Sequence, residues 1–367
     1  MRILHIVTLA EIGGAQSVVL NLAKESAVFG NQVMVASSVK GELWNLLPKE
    51  VLQWKIPSLK RSIRLGDDLR VIRELRKINI TFRPDVIHLH SSKIGVLGRL
   101  AFPTQKIVYT VHGFDSIRLA FRKFLYLEKL LQTRSKHIVG VSKYDVNNLM
   151  AEGIKSNVKC IYNGISDFFQ FHKEKETELD EELRHAIQSK KGFKVLCIAR
   201  ISAQKKFDLF CEVAEQMKDY PVHFFWIGNK EQVYDTPENV HCLGQVENAH
   251  RFLKYVDLFM LPSNYEGMPV SIIEALCYSV PVVASNVGGI PEMLNGRNGV
   301  ALKNDRSTFV SAISEYIENK DLLDSSRFEA RKSYENFFTI RIMFEAYMKL
   351  YESIYSENHP LLVHSIL

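Results

Sequence analysis

Short apolar runs of strand length recur along the chain, each followed by a polar turn and then by apolar positions three and four residues apart. Arg2–Thr8, Gln32–Ser37, Asp85–His90, Lys106–His112 and His137–Val141 read as strands in the first half. Lys194–Ala199, His223–Gly228, Val240–Gly244 and Leu258–Leu261 read so in the second, and Asn295–Val300 turns into a last strand. Helical spacing follows at Ser17–Ser26, Asn248–Tyr255, Ser307–Glu318, Asp321–Glu335 and Thr339–Tyr355, the last through Ile340, Met343, Phe344, Tyr347, Met348 and Tyr351. Strands alternating with helices predict α/β architecture, with parallel sheets covered on both faces. Ligands on such sheets sit beyond the carboxyl ends of the strands.

The 367 residues suffice for two domains with separate cores. The polar, charge-rich stretch from Phe168 to Lys191 divides them, with a helix expected at Glu181–Gln188. The expected plan is a first domain at 1–170, a linker at 171–190, a second domain at 191–338 and a terminal helical segment at 339–367. No apolar run approaches the roughly 18 residues of a membrane span. The tail Leu361–Val363 is too short to anchor anything, and Met1–Ala10 reads as a strand rather than a signal peptide. Five scattered cysteines without a Cys-x-x-Cys spacing predict buried thiols in a reducing compartment, hence a cytoplasmic protein.

Candidate chemistry gathers at strand ends. Pro262-Ser-Asn-Tyr-Glu-Gly-Met-Pro-Val-Ser-Ile-Ile-Glu-Ala-Leu276 reads as a strand end, a tight loop at Gly267 and a helix opened by Pro269. Glu266 stands before that helix and Glu274 in its second turn. The helix mouth suits a phosphate and the carboxylates suit sugar hydroxyls, although two glutamates at this spacing also recur by chance. Arg200 and Lys205 follow a strand and could bracket a diphosphate. His112 ends a strand, with Gly113 letting the chain turn away. Gly13-Gly14 opens the first helix and could admit a phosphate near Gly14. A full G-x-G-x-x-G and a Walker lysine are both missing, which removes dinucleotide and P-loop readings.

Glu266-x7-Glu274, with the string onward through Ala275–Glu292, resembles the Glu-x7-Glu signature of retaining glycosyltransferases of family 4. Further likenesses are Gly13-Gly-Ala-Gln16, Thr110-x-His112-Gly113, Val158–Ile165 and the Arg200-x4-Lys205 loop. The chain departs from the family at Lys206, where a glycine is usual, and at Ser166, where an aspartate is usual. The resemblance implies a GT-B fold: two Rossmann-like doubly wound parallel-sheet domains facing across a cleft, with the terminal helix crossing back toward the first.

It also implies sugar transfer with retention, from a UDP- or GDP-sugar to a hydroxyl acceptor, with no cofactor and no metal; no Asp-x-Asp occurs in the chain. The implied catalytic residues are His112, Glu266, Arg200 and Lys205. Donor binding falls to Gly14, Arg200, Lys205, Gly267, Met268, Val270 and Glu274, with Glu274 on the ribose hydroxyls. Gly244–Val246 and the helix after it resemble the region that seats the base. The rival readings are a sugar-nucleotide epimerase on the same architecture and a non-catalytic sugar-nucleotide-binding protein.

Charge adds an expected partner. Residues 1–170 carry 25 Lys and Arg against 13 Asp and Glu, whereas the rest carries 22 against 28. Lys55–Lys77 holds eight of the cations. Ile117–Lys129 interleaves Arg118, Arg122 and Lys123 with Phe121, Phe124, Leu125 and Tyr126 at helical spacing. That pattern predicts either a solvated helix or an interfacial one on an anionic inner membrane leaflet. It favours a lipid-linked glycan acceptor, as in bacterial surface polysaccharide assembly. Nucleic acid is disfavoured, because no recognisable module is present.

Overall fold

The computed structural model describes residues 1–170, 177–233 and 235–360. The chain forms two compact units, Met1–Gly164 together with the chain from Ile340 onward, and Ile165–Thr339.

The first unit is built on seven parallel strands: β1 (Arg2–Val7), β2 (Gln32–Ser37), β3 (Leu52–Lys55), β4 (Val86–His90), β5 (Ile107–Val111), β6 (His137–Gly140) and β7 (Val158–Cys160). Their order is β3-β2-β1-β4-β5-β6-β7, so the chain reverses direction across the sheet at β1 and β4. Alternate residues of each strand enter different cores, which is why the strands read as nearly continuous apolar runs. Leu4, Ile6, Ile87, Leu89 and Tyr109 meet Val71, Leu75 and Ile78 of the helix Leu65–Phe82. Ile3, Val86, Val108 and Val139 meet Met343, Tyr347 and Tyr351 of the helix Ile340–Asn358. That last helix thus completes a core begun by the first strand.

The second unit holds six parallel strands: β8 (Phe193–Ile198), β9 (Val222–Ile227), β10 (Val240–Cys242), β11 (Leu258–Leu261), β12 (Val282–Ser285) and β13 (Gly299–Leu302). Their order, β10-β9-β8-β11-β12-β13, repeats the reversal at β8 and β11. The architecture is the expected one of two doubly wound parallel-sheet α/β domains.

Several boundaries differ from expectation for identifiable reasons. Residues 165–170, placed with the first domain, pack into the second unit. Ile165 donates its N–H to the Phe338 carbonyl (3.0 Å), and Asp167 is ion-paired with Arg331. In the expected linker, Glu178–Gln188 is a helix with a reciprocal capping box between Thr177 and Asp180. Asp180 also accepts a 2.6 Å bond from Arg251, which fixes the helix to the second unit. Residues 171–176 of that linker and 361–367 of the terminal segment lie outside the described residues. Of the five cysteines expected to be buried, Cys197 and Cys277 are buried, Cys211 and Cys242 are half-buried, and Cys160 on the edge strand β7 is exposed.

Candidate active site

In the second unit, two loops leave the carboxyl ends of the neighbouring strands β8 and β11 and are stitched together by polar bonds. Asn264 donates its backbone N–H to the Gln204 carbonyl (2.8 Å) and its side-chain amide to the Ala203 carbonyl (2.8 Å). Gln204 returns a bond to the Tyr265 carbonyl (2.9 Å). This stitching carries Lys205 onto Glu266, and their side chains form an ion pair. The Ser263 hydroxyl donates to the same Glu266 oxygen at 2.7 Å. Glu266 is buried, so its direction is fixed by two charge-assisted bonds.

The Glu266 turn is also braced from behind. Gly288 adopts φ +58°, and a Cβ there would meet the Glu266 carbonyl oxygen at 1.8 Å, so only glycine fits. Gly289 donates its N–H to the Gly267 carbonyl (2.9 Å). The Ser263 N–H is received by the Ser285 hydroxyl (2.7 Å), and Asn304 bridges Ser285 to the Ser263 carbonyl (2.8 Å). Ser285, Asn304 and Gln204 escape a reading by motif, because each acts through a contact distant in sequence.

The helix Val270–Cys277 starts one residue later than expected, with Pro269 as its cap at φ −66°, ψ 122°. Gly267, Met268 and Val270 form its approach and first turn. Glu274 lies on this helix among the buried Ile272, Ile273, Ala275 and Leu276. Its half-buried carboxyl makes no hydrogen bond among the described residues, and desolvation pushes its pKa up to about 8. Arg200 is exposed and makes no ion pair among the described residues. Lys206, the departure at the expected glycine, holds a left-handed conformation (φ 42°, ψ 55°) and turns its ammonium to Asp208 (3.6 Å). The ammonium that meets the glutamate is therefore that of Lys205.

In the first unit, Gly14 is exposed and is the first residue of the helix Gly14–Val28, after Gly13 in extended conformation. His112 directly follows β5, which stops one residue earlier than expected, and Gly113 at φ +96° turns the chain beyond it. The turn is pinned by a bond from the Phe114 N–H to the Asp145 carboxylate (2.7 Å), and Asp115 is paired with Arg118 and receives the Tyr144 hydroxyl. His112 Nε2 lies 3.1 Å from Nδ1 of the buried His90, whose Nε2 lies 3.3 Å from Nδ1 of the buried His5. Burial lowers His112 to about 4 and His5 to about 3, and holds His90 and His88 well below the ordinary imidazole value. Nitrogens of His5, His88 and His90 fall within 4.8 Å of one another. Both nitrogens of His88, however, are already bonded to the Tyr351 and Thr110 hydroxyls (2.6 and 2.7 Å). Next to His90, Ser91 adopts φ 84°, ψ 149°, a region that a residue with a side chain rarely occupies, while its hydroxyl bonds Thr8 at 2.6 Å.

The segment Ile117–Lys129, expected as one helix, solvated or interfacial, is three pieces. Ser116–Ala120 is a π turn, Arg122–Phe124 a 3-10 turn and Leu125–Leu130 an α-helix, with Phe121 in a non-helical conformation between the first two. Arg118 is committed to Asp115, and Arg122 and Lys129 lie 3.4 and 3.3 Å from Glu152. The apolar side survives: Leu119, Phe121, Tyr126 and Leu130 are each at least half exposed. Among the described residues no helix is long and apolar enough to cross a membrane.

Comparison with known proteins bears on what this arrangement does. Residues 12–167 match the family described as Glycosyltransferase Family 4, and residues 192–319 that described as Glycosyl transferases group 1. The O-antigen biosynthesis glycosyltransferase WbnH of Escherichia coli is 29% identical over 315 residues, covering 82% of this chain and 85% of that protein. The UDP-Gal:alpha-D-GlcNAc-diphosphoundecaprenol alpha-1,3-galactosyltransferase of Escherichia coli is 26% identical, covering 88% of this chain and 89% of its own. Among solved structures, Anabaena HepE in complex with UDP-glucose superposes with a TM-score of 0.79 at 20% identity, over 96% of this chain and 100% of that one. The two family matches between them take in β2–β7 of the first sheet and all six strands of the second, and the chain belongs to the family 4 glycosyltransferases of GT-B fold.

Proposed function

We propose that the protein is a retaining glycosyltransferase that moves a sugar from a UDP- or GDP-sugar to a hydroxyl of a lipid-linked glycan in bacterial O-antigen or capsule assembly. The observation that carries the donor half of this reading is Glu274. A desolvated carboxyl with no hydrogen bond among the described residues, one turn into a helix whose mouth suits phosphate, is matched by the paired hydroxyls of a ribose. The acceptor half rests on the likeness to the O-antigen enzyme and to the undecaprenol-diphosphate galactosyltransferase.

In this reading Arg200, which makes no ion pair among the described residues, pairs with the donor diphosphate through its planar fork. Lys205 carries three N–H donors, so it serves a phosphate oxygen without releasing Glu266. Gly267, Met268 and Val270 present the helix mouth, and Glu266 meets the donor sugar. In the first unit this reading assigns Gly14 to the donor and His112 to catalysis. The acceptor oxygen bonds the anomeric carbon as the bond to the diphosphate oxygen breaks, and the acceptor proton leaves with the phosphate. Developing phosphate charge falls on Arg200, Lys205 and the helix dipole rather than on a metal ion. Leu119, Phe121, Tyr126 and Leu130 are the side chains through which the chain would touch lipid.

Incubating the protein with UDP- and GDP-sugars and a diphosphate-lipid acceptor, with and without EDTA, tests the proposal. Acceptor-dependent nucleoside diphosphate release that survives EDTA and gives a product of unchanged anomeric configuration supports it. An inverted product, or acceptor-independent epimerisation of the sugar, overturns it. Flotation with anionic and neutral vesicles tests the lipid contact, and equal negligible binding to both removes it.

A further inference from the structure

The first unit contains three histidine rings in series that the assignment of His112 does not use. The outer ring is His112, half-buried, whose Nδ1 makes no hydrogen bond among the described residues. The middle ring is His90, fully buried, bonded at both nitrogens to its neighbours at 3.1 and 3.3 Å. The inner ring is His5, fully buried, and its Nε2 has no hydrogen-bond partner among the described residues. His5 lies on β1, His90 on β4, and His112 directly follows β5. The parallel register pairs His5 with His88 and His90 with Thr110, so each ring stands two residues further along than the one on the neighbouring strand.

A neutral imidazole has one N–H and one lone pair, so each link needs a donor on one side and an acceptor on the other. The chain therefore has two states only. In one, His5 donates from Nδ1 to His90 Nε2 and His90 donates from Nδ1 to His112 Nε2. His5 is left with a bare buried lone pair and His112 with an N–H at Nδ1. In the other, every proton is moved: His5 buries an orphaned N–H, and His112 presents a lone pair at Nδ1. An orphaned buried N–H is rarer than an under-satisfied acceptor, and the outer end is satisfied in either state by water or ligand. The inner end therefore decides the state. The flanking polar groups do not intervene, because His88 and Thr110 are bonded to each other and to Tyr351 and Tyr347.

We propose that His90 and His5 are positioning residues that hold His112 as its Nδ1–H tautomer, making it a hydrogen-bond donor to an oxygen of the bound sugar. This rests on the reading of His112 as a site residue. The Nδ1–H form is the less common tautomer of a free imidazole, so removing the chain releases His112 to the other form.

Selective 15N labelling of histidine in the full-length protein and long-range proton–nitrogen correlation read the tautomer directly, without substrate. Expected is an Nδ1–H His112 in the wild type that shifts to Nε2–H in His90→Phe, with kcat falling about tenfold, the effect of one hydrogen bond, and KM nearly unchanged. His5→Phe keeps the His90–His112 contact and is expected to mix the two tautomers, which supplies the result if His90→Phe does not fold. An Nε2–H His112 in the wild type, or a tautomer unmoved by both substitutions, overturns the inference even where sugar transfer is intact. Absence of transfer in the wild type overturns the function and leaves the tautomer result standing.

Discussion

Lys205 and Glu266 stand on different loops, yet their side chains form an ion pair beside the helix that carries Glu274. The pair orients a carboxylate and stores a cation at one point, and the stitched backbones of Gln204 and Asn264 keep it there. Replacing Lys205 by Ala is expected to lower kcat by about 100- to 1,000-fold, the loss associated with one oxyanion donor. Arg200→Ala should do the same while leaving the fold unchanged, because Arg200 is exposed and makes no ion pair among the described residues. Steady-state kinetics of both variants check this, and near-normal transfer in both removes the diphosphate assignment.

Glu274 gives a pH dependence with a definite sign. Its folded pKa of about 8 lies above the ordinary carboxylate value of about 4.3. Between those limits the unfolded chain ionises while the fold retains the proton, so this residue erodes stability as pH rises and stops eroding it above about 8. Donor hydroxyls that donate to the ionised form reverse the balance. Donor affinity is expected to rise with pH toward 8, by up to about tenfold per unit, with proton release on binding. Glu274→Gln should weaken binding, flatten its pH profile and stabilise the free protein at pH 8. Calorimetry in buffers of different ionisation enthalpy measures all three.

Lys206 occupies a left-handed conformation that costs a residue with a side chain about 1 kcal/mol or more. Lys206→Gly removes that strain at the expense of a floppier unfolded chain. Its ammonium makes only the loose contact with Asp208, so the net expectation is a gain of up to about 1 kcal/mol with transfer unchanged. Urea unfolding followed by intrinsic fluorescence reads the shift.

The buried pair of Arg99 and Glu128 makes a structural counterpart. Arg99 donates to Glu128 (2.6 Å) and to the Gly95 carbonyl (2.8 Å) and lies over the Tyr109 ring, whose hydroxyl also reaches Glu128. Glu128→Ala leaves a guanidinium buried without its counter-charge and should cost about 3–5 kcal/mol. Denaturant melts of the variant check this.

Much of the fold was legible because parallel strands buried on both faces leave nearly continuous apolar runs, as at Arg2–Val7 and Val222–Ile227, each interrupted by a histidine. The edge strand β3 (Leu52–Lys55) was missed because an edge carries polar residues such as Gln53 and Lys55, which read as part of a basic stretch. The helix Leu65–Phe82 was hidden for the same reason, since its cations lie on the solvent side of a buried Val71, Leu75 and Ile78 stripe. At the candidate site, Glu266, Glu274 and Lys205 could be read because their spacing is local. Ser285, Asn304 and His5 could not, because each meets its partner only after the strands are ordered side by side. The segment Ile117–Lys129 has helical spacing but no single helix, because the commitment of Asp115 to Arg118 and Tyr144 bends the chain before the α-helix begins.

The helix Ile340–Asn358 fills one face of a sheet whose first strand starts at Arg2. During translation, Ile3, Val86, Val108 and Val139 therefore emerge from the ribosome long before the side chains that will cover them. The nascent sheet stays unfinished, and open to chaperones, while the whole intervening unit is made. A stop codon anywhere before Tyr351 would leave His88 on β4 without one of the two hydroxyls it bonds, coupling quality control of the first sheet to the arrival of this helix.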